Sequence, residues 1–84
     1  MKLTQCDVIL KAMLIEKNRT WWSAKDFQTD PYFVGYEATA RMSDLINKYD
    51  DLIKVSKDGR FRILAINWES KELEDELKRL EINK

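Results

Sequence analysis

The sequence predicts an α+β domain, mostly helical, in which three N-terminal helical segments lead into a β-hairpin and a further helix follows. Three observations carry this. Apolar residues recur at helical spacing before residue 18 and again over residues 36–49. Residues 53–63 alternate apolar and basic on either side of Asp58-Gly59, the pattern of a hairpin with one buried face. Residues 67–84 set Leu73, Leu77 and Leu80 among charged residues at i, i+4 and i+7. With 84 residues, 44% of them hydrophobic and 36% charged, the chain fits one globular domain and is too apolar for a disordered one. Residues 1–66 form the expected domain, and residues 67–84 a C-terminal helix that packs on it or serves self-association.

Thr4, followed three positions later by Asp7, reads as a capping box with Asp in place of Glu. The first helix then runs to about Asn18, with Cys6, Ile9, Leu10, Met13 and Leu14 on its inner face and Val8 and Ile15 widening it. Thr20-Trp21-Trp22 is short, β-prone and aromatic, so a short strand is expected. Strand neighbours point to opposite faces, so Trp22 enters the core and Trp21 lies nearer the surface. Ser23, with Asp26 three positions on, caps a short helix from Ala24 to about Thr29 whose core residue is Phe27. Asp30-Pro31 stops it, because the residue before proline avoids the α region. Tyr32-Phe33-Val34-Gly35-Tyr36 forms an apolar connection, with Phe33 packed and Tyr32 and Tyr36 available for contacts.

Ala38, Met42, Leu45, Ile46 and Tyr49 share one face of the next helix, expected from about Tyr36 to Tyr49 and ended by Asp50-Asp51. In the hairpin, a two-residue Asp58-Gly59 turn would set Val55 opposite Arg62 and mix the faces. A three-residue loop, Lys57-Asp58-Gly59, instead pairs Val55 with Phe61, Lys54 with Arg62 and Ile53 with Ile63. It also puts Gly59 at the left-handed position of a G1 bulge, so this register is expected, with Phe61 in the core. Asn67 or Ser70 caps the last helix, which Glu74–Lys78 and Asp75–Arg79 pairs support.

Helix, short strand, helix, helix, hairpin is the order of a winged helix. The stretch Tyr36-Glu37-Ala38-Thr39-Ala40-Arg41-Met42-Ser43-Asp44-Leu45 resembles the third helix of prokaryotic and phage winged helix-turn-helix proteins. Asp51-Leu52-Ile53-Lys54-Val55 resembles their entry into the wing, and Lys57-Asp58-Gly59-Arg60-Phe61-Arg62 their wing tip. The resemblance covers about residues 4–66. It implies a three-helix helix-turn-helix core plus a β-hairpin wing, and binding of double-stranded DNA by a small cytoplasmic protein of transcription regulation or a phage accessory factor. In that family the third helix enters the major groove and the wing touches backbone or minor groove.

The residues can support such contacts. With Ala38, Met42, Leu45 and Tyr49 inward, Ala40, Ser43, Asp44 and Asn47 turn outward. Arg41 can bind guanine or phosphate, Asn47 can read adenine, Thr39 and Ser43 can bind phosphate, and Lys48 can neutralise it. Lys54, Lys57, Arg60 and Arg62 cluster on the wing around one acid, Asp58. In the expected register Lys54 faces Arg62, a like-charge pair that a bound anion would relieve.

Charge also supports a different class. The chain carries 15 Lys and Arg against 15 Asp and Glu, a net charge of zero. Eleven basic and nine acidic residues fall in 1–65, four and six in 66–84, so a weakly basic body bears an acidic tail. Glu37–Arg41 and Asp44–Lys48 at i,i+4 can be simple solvated pairs, and acids on the 36–49 helix repel phosphate. A winged helix used as a protein-interaction module is the alternative. Self-association would use Leu73, Leu77 and Leu80. Enzyme function is not expected: the sequence has no histidine, one cysteine and two glycines, too little for His-based catalysis, a thiolate metal site or a phosphate loop. Neither a cofactor nor a membrane span is expected, and Cys6 reads as a small buried apolar residue.

Overall fold

The computed structural model describes residues 3–29, 35 and 37–82. The elements are α1 (Gln5–Ile15), β1 (Trp22–Ser23), a 3-10 helix η1 (Ala24–Phe27), α2 (Ala38–Lys48), β2 (Ile53–Asp58), β3 (Phe61–Ile66) and α3 (Leu73–Arg79). The strands form one antiparallel sheet in the order β1-β3-β2. The expectations for Tyr32, Phe33, Val34 and Tyr36 lie outside the described residues.

Local chemistry starts the first two helical segments where expected. The Thr4 hydroxyl accepts from the Asp7 N–H at 3.1 Å, and the Asp7 carboxylate accepts from the Thr4 N–H at 3.2 Å. This satisfies donors that the first turn of α1 leaves open. At η1, the Ser23 N–H and hydroxyl both donate to Asp26 Oδ2, at 2.7 and 3.1 Å. The 3-10 segment is shorter than the expected helix.

Ile9, Leu10, Met13 and Leu14 of α1 meet Ala38, Met42 and Leu45 of α2, with Trp22, Phe27, Leu52, Leu64 and Ile66 beneath them. Trp22 is buried and Trp21 exposed, as expected, but the strand is Trp22–Ser23 and Trp21 precedes it. The Trp22 and Phe27 rings stack with centroids 5.3 Å apart, and the Arg19 guanidinium lies 4.1 Å from the centre of the Trp22 ring. Arg19 also pairs with Asp26 and donates to the Trp21 carbonyl. Val8 and Ile15, expected to widen the inner face of α1, are exposed instead. The helix ends at Ile15, three residues before the expected stop, and a turn over residues 15–19 brings Arg19 onto Trp22.

The hairpin corrects the expected register. Asp58 pairs with Phe61, Lys57 with Arg62, Ser56 with Ile63, Val55 with Leu64, Lys54 with Ala65 and Ile53 with Ile66. The turn is Gly59-Arg60, not Lys57-Asp58-Gly59, and Lys54 does not face Arg62. Gly59 has φ +65° while Arg60 is not left-handed, the sign pattern of a type II′ turn with glycine first. The reason lies in β3, which carries two interleaved apolar sets. Phe61 and Ile63 fit the alternation of β2 locally, but Leu64 and Ile66 are the pair that Ile53 joins inside. The odd shift turns the other set over to the outer face. Phe61, expected in the core, is 73% exposed, whereas Leu64 is 0% exposed and pairs with Trp22 on its other side.

The C-terminal segment also departs from expectation. Residues 67–72 form turns because their side chains bond to the chain entering β2. Asn67 Nδ2 donates to the Asp51 carbonyl at 3.1 Å and the Ser70 hydroxyl to Asp51 Oδ2 at 2.6 Å. Such local bonds compete with helix. Leu73, Leu77 and Leu80 are buried in the chain's own core. Arg79 does not take the expected Asp75 partner. Its guanidinium reaches Asp7 at 2.8 Å, Glu76 at 2.6 Å and the Tyr49 hydroxyl at 3.4 Å, tying α3 to the starts of α1 and the end of α2. Among the described residues, no helix is long and apolar enough to cross a membrane.

Two predictions follow from the packing. Leu64→Ala should destabilise the fold by about 2–5 kcal/mol, the range for a buried leucine, and Phe61→Ala by under about 0.5 kcal/mol. Urea unfolding distinguishes this register from the three-residue loop, which demands a large effect at Phe61. The second concerns acid. Hydrogen bonding from Arg79 and Thr4 holds the Asp7 carboxyl below the usual aspartate range against a smaller effect of burial. Burial pushes Asp26 up, but bonds from Ser23 and Arg19 outweigh it and leave it lowered as well. In both cases the unfolded chain binds protons first, so this stability is present above about pH 4–5 and is lost as pH falls through the folded values. Asp7→Asn should flatten the acid limb of stability against pH and cost about 1 kcal/mol at neutral pH.

Candidate nucleic-acid interface

At 100° per residue, Thr39, Ser43 and Asn47 share the edge of α2 that faces the hairpin, and Arg41, Asp44 and Lys48 share the opposite edge. The side-chain contacts agree. Arg62 Nη2 donates to the Ser43 hydroxyl, and that hydroxyl in turn donates to the Thr39 carbonyl. Across the helix, Arg41 Nε lies 3.2 Å from Asp44 Oδ2, and the Arg41 carbonyl accepts from the Cys6 thiol of α1. Arg41 therefore pairs with Asp44 at i,i+3, not with Glu37. Lys48 Nζ sits 5.3 Å from the centre of the Tyr49 ring. Burial is the main cause that pushes the Cys6 thiol up, which keeps it protonated and a poor nucleophile.

β3 extends past β1. Among the described residues, β1 pairs only as Trp22 with Leu64 and Ser23 with Ile63. The chain then turns away into η1, leaving the edge of β3 open at Phe61 and Arg62. A groove of about 620 Å³ opens there between the strand edge, η1 and the N-terminal half of α2. Ala24, Met42, Phe61 and Ile63 supply its apolar lining, and Lys25, Arg60 and Arg62 bring positive charge to it, against Asp58 as the acid. No described residue forms an ion pair with Lys25, Arg60 or Arg62. A second hollow, about 310 Å³ and lined by Lys17, Trp68, Leu73 and Leu77, has one cation and no such convergence.

The residues singled out from sequence thus separate into groups. Thr39, Ser43, Arg60 and Arg62 come together at the groove, with Asn47 exposed further along the same helix edge. Arg41 and Lys48 lie on the other edge of α2. Lys54 and Lys57 sit on β2, beyond β3 from the groove. Lys57 faces Arg62 across the ladder, so the like-charge pair of the hairpin is Lys57–Arg62. Ser23, Lys25 and Gln28 line the groove and were not foreseen; the one available signal was the exposed position of Lys25 just after the Ser23 cap. Phe61 was missed because the wrong register buried it.

Comparison with protein-family models, with curated protein sequences and with solved structures finds no match in any of the three.

The Arg62–Ser43 contact yields a prediction of its own. Both groups are accessible, so Ser43→Ala should change stability by under about 0.5 kcal/mol. It should nevertheless free the Arg62 guanidinium, seen by NMR as faster exchange of its side-chain N–H protons with water. Unchanged exchange would mean that the contact does not hold Arg62 beside α2.

Proposed function

We infer that the chain is a winged-helix protein that binds double-stranded DNA, with α2 as the groove-entering helix and the β2–β3 hairpin as the wing. The observation that carries this is the convergence of Lys25, Arg60 and Arg62 from two separate elements beside Thr39 and Ser43, in a chain of zero net charge. Guanidinium groups supply several donors for phosphate oxygens, and hydroxyls add neutral contacts that fix register. Element order is in keeping with this reading: helix, short strand, short helix, helix and hairpin, with the short strand paired to the second strand of the hairpin. A bound phosphate also relieves the Lys57–Arg62 repulsion.

A second reading, a protein-interaction module, is favoured by the open edge of β3 at Phe61 and Arg62, which an extended peptide can extend as a further strand. Salt separates the two. Duplex binding through three cations should weaken as salt rises, and its log–log slope should fall by about 0.9 for each phosphate contact removed. Fluorescence anisotropy with Arg60→Ala, Arg62→Ala and Lys25→Ala should show this loss for each variant. Absence of duplex binding by the wild type at low salt would sink the DNA reading and leave the peptide one.

A further inference from the structure

Phe61 adds no buried side chain to the core and no charge to an electrostatic grip on DNA. It stands 73% exposed between Arg60 and Arg62, next to a tight turn, opposite Asp58. Phe61 lines the groove at the open edge of β3, together with the apolar residues Met42, Ile63 and Ala24. A volume of about 620 Å³ lies in the range of pockets that hold small organic ligands and is ample for one nucleobase with its sugar. Phosphates flanking such a base would meet Lys25, Arg60 and Arg62. An aromatic ring beside a cationic track is the arrangement by which proteins hold bases that have left the helical stack. Bases inside a paired duplex are covered on both faces by their neighbours and cannot reach it.

We propose that this groove takes one unstacked nucleobase of the bound DNA, with Phe61 stacked on its face. This rests on the DNA-binding reading and specifies the class of DNA: a duplex with a bulged, mismatched or otherwise opened nucleotide. Asp58, which would repel a phosphate, accepts from the exocyclic amine of a cytosine or adenine and so orients the base. The energetics select the same substrate. Extruding a paired base costs more than one aromatic contact returns, whereas a base that is already unpaired has little to lose. Stacking on an aromatic side chain is worth about ten- to a hundredfold in affinity per base, enough to mark one duplex from another.

The test uses the full chain and two duplexes of one sequence, one fully paired and one with a single unpaired fluorescent adenine analogue. Wild-type protein should bind the bulged duplex about tenfold more tightly and quench the analogue. In Phe61→Ala the ratio of the two affinities should fall to about one and the quenching should vanish. Phe61→Trp should keep both, which a merely structural role for the ring would not require. Equal affinity of the wild type for the two duplexes overturns the proposal while leaving DNA binding intact. So does a ratio that survives Phe61→Ala. Binding to neither duplex overturns both readings together.

Discussion

The burial of Leu64 is the constraint from which the arrangement of the hairpin and the groove beside it follows. This side chain sits at the middle of the sheet, paired with Trp22 on one side and Val55 on the other, with no solvent exposure. Once it points inward, strand alternation leaves no freedom to its neighbours. Ile66 and Arg62 share its face, so Arg62 is directed toward α2 and reaches Ser43. Ile63 and Phe61 take the opposite face. The turn must then close at Gly59-Arg60, and the hairpin presents an arginine, a phenyl ring and a second arginine in succession. A side chain that never touches solvent thereby decides what solvent and any partner will meet.

Trp22 transmits the same constraint to the other wall of the groove. Its strand ends after Ser23, and its ring is held between Phe27 and Arg19. The stack fixes where η1 leaves the sheet, and with it the place of Lys25. Because β1 is two residues long and β3 six, the end of β3 is left without a neighbour on that side. The groove is the space that this mismatch creates.

The zero net charge conceals a division of labour among the ionic groups. Several carboxylates are engaged within the fold: Asp7 and Glu76 with Arg79, Asp26 with Arg19, Asp44 with Arg41, and Asp51 with the Ser70 hydroxyl. The Asp7–Arg79 contact joins residues near the two ends of the chain and holds α3 against α1. At the groove Lys25, Arg60 and Arg62 form no ion pair with a described residue, and Asp58 is the one acid that lines it with them. Local field therefore follows from which acids the fold has already used, and the overall balance says little about it.

Features governed by one element were legible in the sequence. The Thr4 and Asp7 cap, the inner faces of α1 and α2, the Ser23–Asp26 cap, the inward Trp22 and the presence of a hairpin around Gly59 each depend on spacing within a few residues, and local rules suffice for them. The register of that hairpin, the late start of α3, the partners of Arg79 and the convergence of Lys25 with Arg60 and Arg62 depend on distant residues. β3 contains two apolar sets of similar strength, and alternation within the hairpin cannot choose between them. That choice was made by Trp22 and by the helices that cover Leu64 and Ile66, because only one set can be buried against them. Tertiary packing, not local pattern, thus set Phe61 in solvent and built the groove beside it.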